Sequence, residues 1–123
     1  MIPKIIHQIW IGNKSIPEEL KVFSESWKNM YPDFSFCFWT DNNVNSKVLF
    51  DEKRQKMYDN ANYWLALKTD LLRFELLERY GGIYIDMDCE PLKKFEDEIL
   101  SYDFFAGKQL ENTINIGLFG CCK

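Results

Sequence analysis

Residues 66–88 read ALKTDLLRFELLERYGGIYIDMD. Leu71, Leu72, Phe74, Leu76 and Leu77 make its first part apolar on nearly all sides of a helix, and nothing breaks that helix before Tyr80. Gly81-Gly82 stops it, because glycine takes the left-handed cap and lets the chain turn sharply. Ile83-Tyr84-Ile85 then reads as a short buried strand, with Asp86-Met87-Asp88 at its carboxyl end. Helix, glycine turn and apolar strand in this order is the rhythm of an α/β fold.

The rest of the chain keeps that rhythm. Upstream, Asn60-Ala61-Asn62 leads into the helix, and the polar, mixed stretch from Asn45 to Asp59 predicts short helices. Lys4 to Ile11 (KIIHQIWI) is β-branched and aromatic, stops at Gly12-Asn13, and is apolar enough for a strand covered on both faces. Pro17-Glu18-Glu19 opens another helix, whose Leu20, Phe23, Trp27 and Met30 form one stripe ending before Pro32. Ser35 to Thr40 is a second buried strand, closed by Asp41-Asn42-Asn43. Asp103 to Gly107 and Ile114 to Cys121 read as two more. The expected architecture is a mainly parallel sheet flanked by helices. In such sheets ligands bind beyond the carboxyl ends of the strands, where Trp10, Asp41 and Asp86 all fall. Trp27, Trp39 and Trp64 are assigned to the core.

With 123 residues, the chain fits a single domain, residues 1–123. It is 46% hydrophobic and 16% aromatic, which suits a packed core and not a disordered chain. The net charge of −4 excludes nucleic acid as the expected partner and is unhelpful at anionic membranes. An anionic ligand would need a bound cation or a few placed basic groups. Cys37, Cys89, Cys121 and Cys122 form no CxxC pair, so they read as reduced thiols, not a zinc site. No signal-peptide core and no membrane-length apolar run is present, and the expected location is the cytoplasm.

Asp86-x-Asp88 carries the sharpest chemistry. Two carboxylates at a strand end can approach one hard cation, manganese or magnesium, that also takes water and phosphate oxygens. Such a cation neutralises charge on a departing diphosphate. Aspartates after strands also simply cap turns, so the pair needs context. On the long helix, Ala66, Asp70, Arg73 and Leu77 share one face, and Asp70 and Arg73 are spaced to pair. That pair is either an ordinary surface ion pair or a fixed donor and acceptor for sugar hydroxyls. Trp10 is either a core residue or a flat surface on which a base stacks. His7, mid-strand and with no nucleophile near it in sequence, reads as a hydrogen-bonded structural residue.

Taken together, residues 2–12, Trp39-Thr40-Asp41, residues 66–73 and residues 80–88 resemble the glycosyltransferases containing a DXD motif. These are grouped with capsular polysaccharide synthesis proteins and the fungal initiating mannosyltransferases. The catalytic domains of the large clostridial glucosylating toxins are similar more distantly. Thr69 stands where the family usually has serine. The resemblance implies a GT-A fold of Rossmann-like type, a UDP- or GDP-linked sugar donor, a saccharide or other acceptor, manganese or magnesium, and retention of anomeric configuration. By the same resemblance Trp10 would stack the donor base and Tyr84 would lie against the nucleoside. Asp70 and Arg73 would bind the donor sugar. Asp86 would contact ribose and reach the metal through water, and Asp88 would bind the metal directly. The family continues past residue 121, so the chain reads as an N-terminal portion of a domain incomplete on its carboxyl side. Two other readings stand beside this one. An aspartyl-phosphate phosphohydrolase also ends a strand in D-x-D, but early in its domain and followed by a small residue and threonine, not Cys89-Glu90-Pro91. A chain that binds the donor without transferring it is the other.

Overall fold

The computed structural model describes residues 1–45, 50–61 and 64–123. Five strands, β1 (Ile5–Trp10), β2 (Ser35–Thr40), β3 (Gly82–Ile85), β4 (Phe104–Leu110) and β5 (Thr113–Cys121), form one sheet in the order β2-β1-β3-β5-β4. The helices are α1 (Glu18–Met30), α2 (Glu52–Asn60) and α3 (Leu65–Tyr80), with a 3₁₀ turn at Asp97–Ser101. Residues 46–49 of the stretch expected to hold short helices, and Asn62 ahead of the long one, lie outside the described residues.

β1 is parallel to both neighbours, from Ile5↔Ser35 to Trp10↔Thr40 on one side and at His7↔Tyr84 on the other. Helical crossovers make this possible, and they bring the carboxyl ends of β1, β2 and β3 to one rim. β5 runs antiparallel to β3, with Ile85 opposite Leu118. β4 and β5 form a hairpin, since Glu111-Asn112 between them is too short for a crossover. The sheet is therefore mixed, parallel where the chain crosses over and antiparallel at its β5-β4 end.

Both faces of the inner strands are covered. Ile9, Ile11 and Tyr84 pack with Leu72, Leu76 and Leu77 of α3 and with Phe119. Ile6, Ile83 and Ile85 pack with Ile2, Trp27 and Tyr31 on the α1 side. That double burial is why β1 and β3 read as near-continuous apolar runs. Gln8, fully buried on β1, accepts from Ser24 Oγ of α1 at 2.6 Å. Asp51 caps α2 by accepting from the Arg54 amide at 2.7 Å, and the Arg54 side chain reaches Glu75 and Glu78 on α3.

The turn from α3 into β3 is built on glycine for steric reasons. Gly81 has φ +64 and Gly82 φ +99, and a Cβ on Gly82 would stand 2.7 Å from the Ile5 carbonyl oxygen. His7 locks this turn to the sheet. Its Nδ1 accepts from the Trp39 indole N–H at 3.1 Å, which leaves Nε2 to donate to the Gly81 carbonyl at 3.0 Å. Burial holds its pKa below the ordinary value. The structural reading of His7 stands.

Trp27 is buried and Trp39 half-buried against the core, as expected. Trp64 is not. It is 71% exposed, because it precedes the first turn of α3 and its side chain leaves the helix–sheet interface. Phe74 is also exposed, so α3 is apolar on fewer sides than its composition implies. Among the described residues, no helix is long and apolar enough to cross a membrane. All four thiols are free.

Candidate functional site

The rim at the carboxyl ends of β1 and β3 faces the first turns of α3, and between them lies a cleft of about 380 Å³. Trp10 and Ile11 close it from β1, Lys14 and Leu20 from the following loop and α1, and Leu65, Ala66 and Thr69 from α3. Tyr84, Asp86, Met87 and Asp88 form its β3 side. The Trp10 ring is fixed by its indole N–H, which donates to the Lys14 carbonyl at 2.7 Å. Asp41, at the end of β2, is not among the lining residues. It accepts from the Gly12 amide at 2.6 Å and so holds the loop that carries Lys14.

Asp86 is the hub. Its Oδ1 accepts from the Tyr84 hydroxyl at 2.6 Å and pairs with Arg73 Nη2 at 3.4 Å. The same Nη2 pairs with Asp70 at 3.0 Å, Nη1 donates to the Ile116 carbonyl at 2.8 Å, and the guanidinium carbon stands 4.7 Å from the Tyr84 ring centre. The backbone amide of Asp86 donates to the Gly117 carbonyl at 2.6 Å. Partial burial pushes the Asp86 carboxyl above its ordinary pKa, against the opposing pull of the Tyr84 hydrogen bond and the Arg73 charge. Burial likewise raises the Tyr84 phenol, so it remains a proton donor to Asp86. Asp88 is exposed and has no hydrogen bond or ion pair to another described residue.

The profile of the glycosyltransferase sugar-binding region containing a DXD motif matches residues 17–106. The chain belongs to this family. An uncharacterized glycosyltransferase of Acanthamoeba polyphaga mimivirus is 36% identical, over 98% of this chain and 49% of its own length. Inositol phosphoceramide mannosyltransferase 3 of Schizosaccharomyces pombe is 31% identical, over 99% of this chain and 34% of its own. The chain thus spans about half or less of these relatives. The PaToxG glycosyltransferase has the same fold, with a TM-score of 0.79 over 99% of this chain and 55% of its own, at 20% identity.

A DXD region implies a divalent cation, and the side chains at the end of β3 suit one. Asp86 and Asp88 both line the cleft, Asp86 Oδ2 lies beside Gly117, where a Cβ would stand 2.7 Å from it, and the Asp88 carboxylate has no hydrogen bond or ion pair among the described residues. No group of three or more His, Cys, Asp and Glu side chains gathers among the described residues. Two carboxylates with positions left for water and phosphate is the pattern expected of magnesium or manganese held jointly with a diphosphate.

Of the residues singled out in the sequence, Trp10, Tyr84, Asp86 and Asp88 line one cleft of this DXD region. Asp70 and Arg73 do not line it but are tied to it through Asp86. Lys14, Leu20, Leu65 and Met87 were not legible as site residues, because only the tertiary arrangement brings them there. Thr69 had a signal: it precedes Asp70 on α3 at i+3 from Ala66. A larger cavity, about 570 Å³, lies on the α1 side against Trp27, Phe95 and Leu118. It touches the motif region only at Cys89 and Glu90 and lacks the paired aspartates.

Proposed function

We propose that the chain is the donor-binding part of a metal-dependent glycosyltransferase. It takes a UDP- or GDP-linked sugar and passes the sugar, with retention, to a hydroxyl of a saccharide or other acceptor. The observation that carries this reading is the convergence of an aromatic face, a lysine and the two aspartates of the motif in one cleft. Trp10 supplies the surface for the base, with Tyr84 against the nucleoside. Lys14 is a basic group of the kind an anionic donor needs on a chain of net charge −4. Asp86 and Asp88 hold manganese or magnesium, which when bound neutralises charge on the departing diphosphate. Asp70 and Arg73, outside the cleft's lining but tied to it through Asp86, are assigned to the donor sugar, and Arg73 also braces Asp86 from the protein side.

Several relatives are named for mannosyl transfer to inositol phosphoceramide. Their names favour a mannosyl donor and a ceramide-linked acceptor over capsular polysaccharide for this chain as well.

The test is calorimetry with UDP, GDP, UDP-glucose, UDP-galactose and GDP-mannose, with and without manganese, on the wild-type chain and Asp88→Ala. Binding that needs metal and disappears in the variant is expected. A folded wild-type chain that binds none of the five would overturn the proposal.

A further inference from the structure

Resting on the ceramide-linked acceptor proposed above, the cavity on the α1 side offers that acceptor a place. Asp86, Met87 and Asp88 line the donor cleft, while Cys89 and Glu90 line the cavity of about 570 Å³. One continuous segment of chain thus forms the wall between the two spaces. At no more than about 3.6 Å of chain per residue, Glu90 lies within roughly 7 Å of Asp88. α1 borders both spaces as well, with Leu20 at the cleft and Trp27 at the cavity. Those two positions are about 10 Å apart along the helix axis.

The chemistry of the cavity suits hydrocarbon. Trp27, Phe95, Ile99 and Leu118 form its inner wall. Trp27 stacks on Phe95 with ring centres 5.4 Å apart, and its indole N–H donates to the Cys89 carbonyl at 2.7 Å. The Phe95 amide donates to the Tyr31 hydroxyl. These bonds fix the wall and engage its polar groups within the protein, so the surface left to a ligand is apolar. Lys93 and Lys94 stand at the rim with Glu90, Glu96 and Glu98, a near balance that selects neither an anion nor a cation. Leu92 and Tyr102 also line the cavity, yet they are 85% and 51% exposed. Apolar side chains left in water at the mouth of an apolar cavity mark a surface that a ligand covers.

We propose that this cavity takes the aliphatic chain of a lipid-linked acceptor. The chain lies against Trp27, Phe95 and Leu118, and Leu92 and Tyr102 cover its outer side. Any charged part of the headgroup stays in water, and the acceptor hydroxyl reaches past Cys89 and Glu90 to the donor sugar. A free saccharide lacks the part that the cavity binds.

Calorimetry with glucose, hexyl β-glucoside and octyl β-glucoside tests this, each glucoside kept below its micelle-forming concentration. Burying one methylene is worth about a fourfold gain in affinity, so the octyl compound is expected to bind about 15-fold tighter than the hexyl. Glucose should not bind. Ile99→Trp, which fills the cavity, and Leu92→Asp, which removes its apolar cover, are each expected to weaken octyl glucoside binding about tenfold or more. Thermal unfolding checks that both variants are folded; if Ile99→Trp is not, the exposed Leu92→Asp decides by itself. Equal affinity for the two glucosides, or wild-type affinity in the folded variants, overturns the inference. A wild-type dimer that Leu92→Asp turns into a monomer would assign the cavity to a second copy of the chain, with the same result. UDP and GDP binding with manganese, measured on the same wild-type preparation, keeps the two readings apart. Nucleotide binding without glucoside binding leaves the donor site standing and removes the lipid cavity. Glucoside binding without nucleotide binding overturns the donor site, and the acceptor role with it.

Discussion

Arg73 donates to the Ile116 carbonyl and pairs with Asp70 and Asp86 while 8% of its side chain is exposed. One guanidinium thus neutralises two carboxylates and joins α3 to β5 behind the motif. Removing it leaves Asp86 and Asp70 facing each other without a cation, and a carbonyl without its donor. Breaking a buried pair costs most when the surviving charge cannot reach water, and here Asp86 and Asp70 are 32% and 44% exposed. Arg73→Met is therefore expected to lose about 3 kcal/mol in urea unfolding, the low end for such pairs. Arg73→Lys should lose less but not recover wild type, since an ammonium cannot span the three acceptors in one plane. Equal stability of Arg73→Met and wild type would remove Arg73 from this role. The i, i+3 spacing of Asp70 and Arg73 was legible in the sequence. The Ile116 carbonyl, 43 residues further on, was not, because no periodicity encodes a contact across strands.

At the level of elements, the join of α3 to β3 has the most exact requirements. With φ +99 and the Ile5 carbonyl 2.7 Å from where a Cβ would be, Gly82→Ala combines backbone strain with a clash against the neighbouring strand β1. A loss of about 2 kcal/mol or more is expected in denaturant unfolding, and a Gly107→Ala control should lose almost nothing. His7, packed on the same turn, gives the join a pH dependence. Its folded pKa is lowered by burial from 6.5, so between that lowered value and 6.5 the unfolded chain takes up a proton that the folded chain refuses. Stability from neutral His7 is then complete above 6.5 and drains away as pH falls below it. Thermal unfolding from about pH 7.5 to about pH 5.5 should show a fall that is shallower in His7→Gln; identical slopes would mean that His7 is not the titrating group. These elements were legible because β1 and β3 bury both faces and glycine marks the turn. The direction of β5 was less so, since it is set by the short Glu111-Asn112 connection and not by the strand's own composition. Trp64 was misplaced for a related reason: its apolar character is plain, but its position before α3 is a matter of where the helix begins.

Across the whole molecule, the net charge of −4 and the aspartates at the cleft oppose a diphosphate approaching alone. Lys14 offsets only part of that repulsion. The cation alone also has modest affinity to gain, with two carboxylates and no further acidic, thiol or imidazole ligand gathered among the described residues. Each partner supplies what the other lacks, so cation and nucleotide should bind cooperatively, and linkage requires each to raise the other's affinity by the same factor. Ligand binding to the folded state adds about 2.7 kcal/mol of stability at a concentration of one hundred times Kd. Thermal unfolding with manganese alone, GDP or UDP alone, and both together should therefore give a combined shift larger than the sum of the separate ones. Asp88→Ala should abolish that excess while unfolding near the wild-type temperature, because Asp88 is exposed and holds nothing else in place. A full shift from nucleotide in the presence of a chelator would instead place the diphosphate on Lys14 and backbone groups, and would take the aspartates out of donor binding.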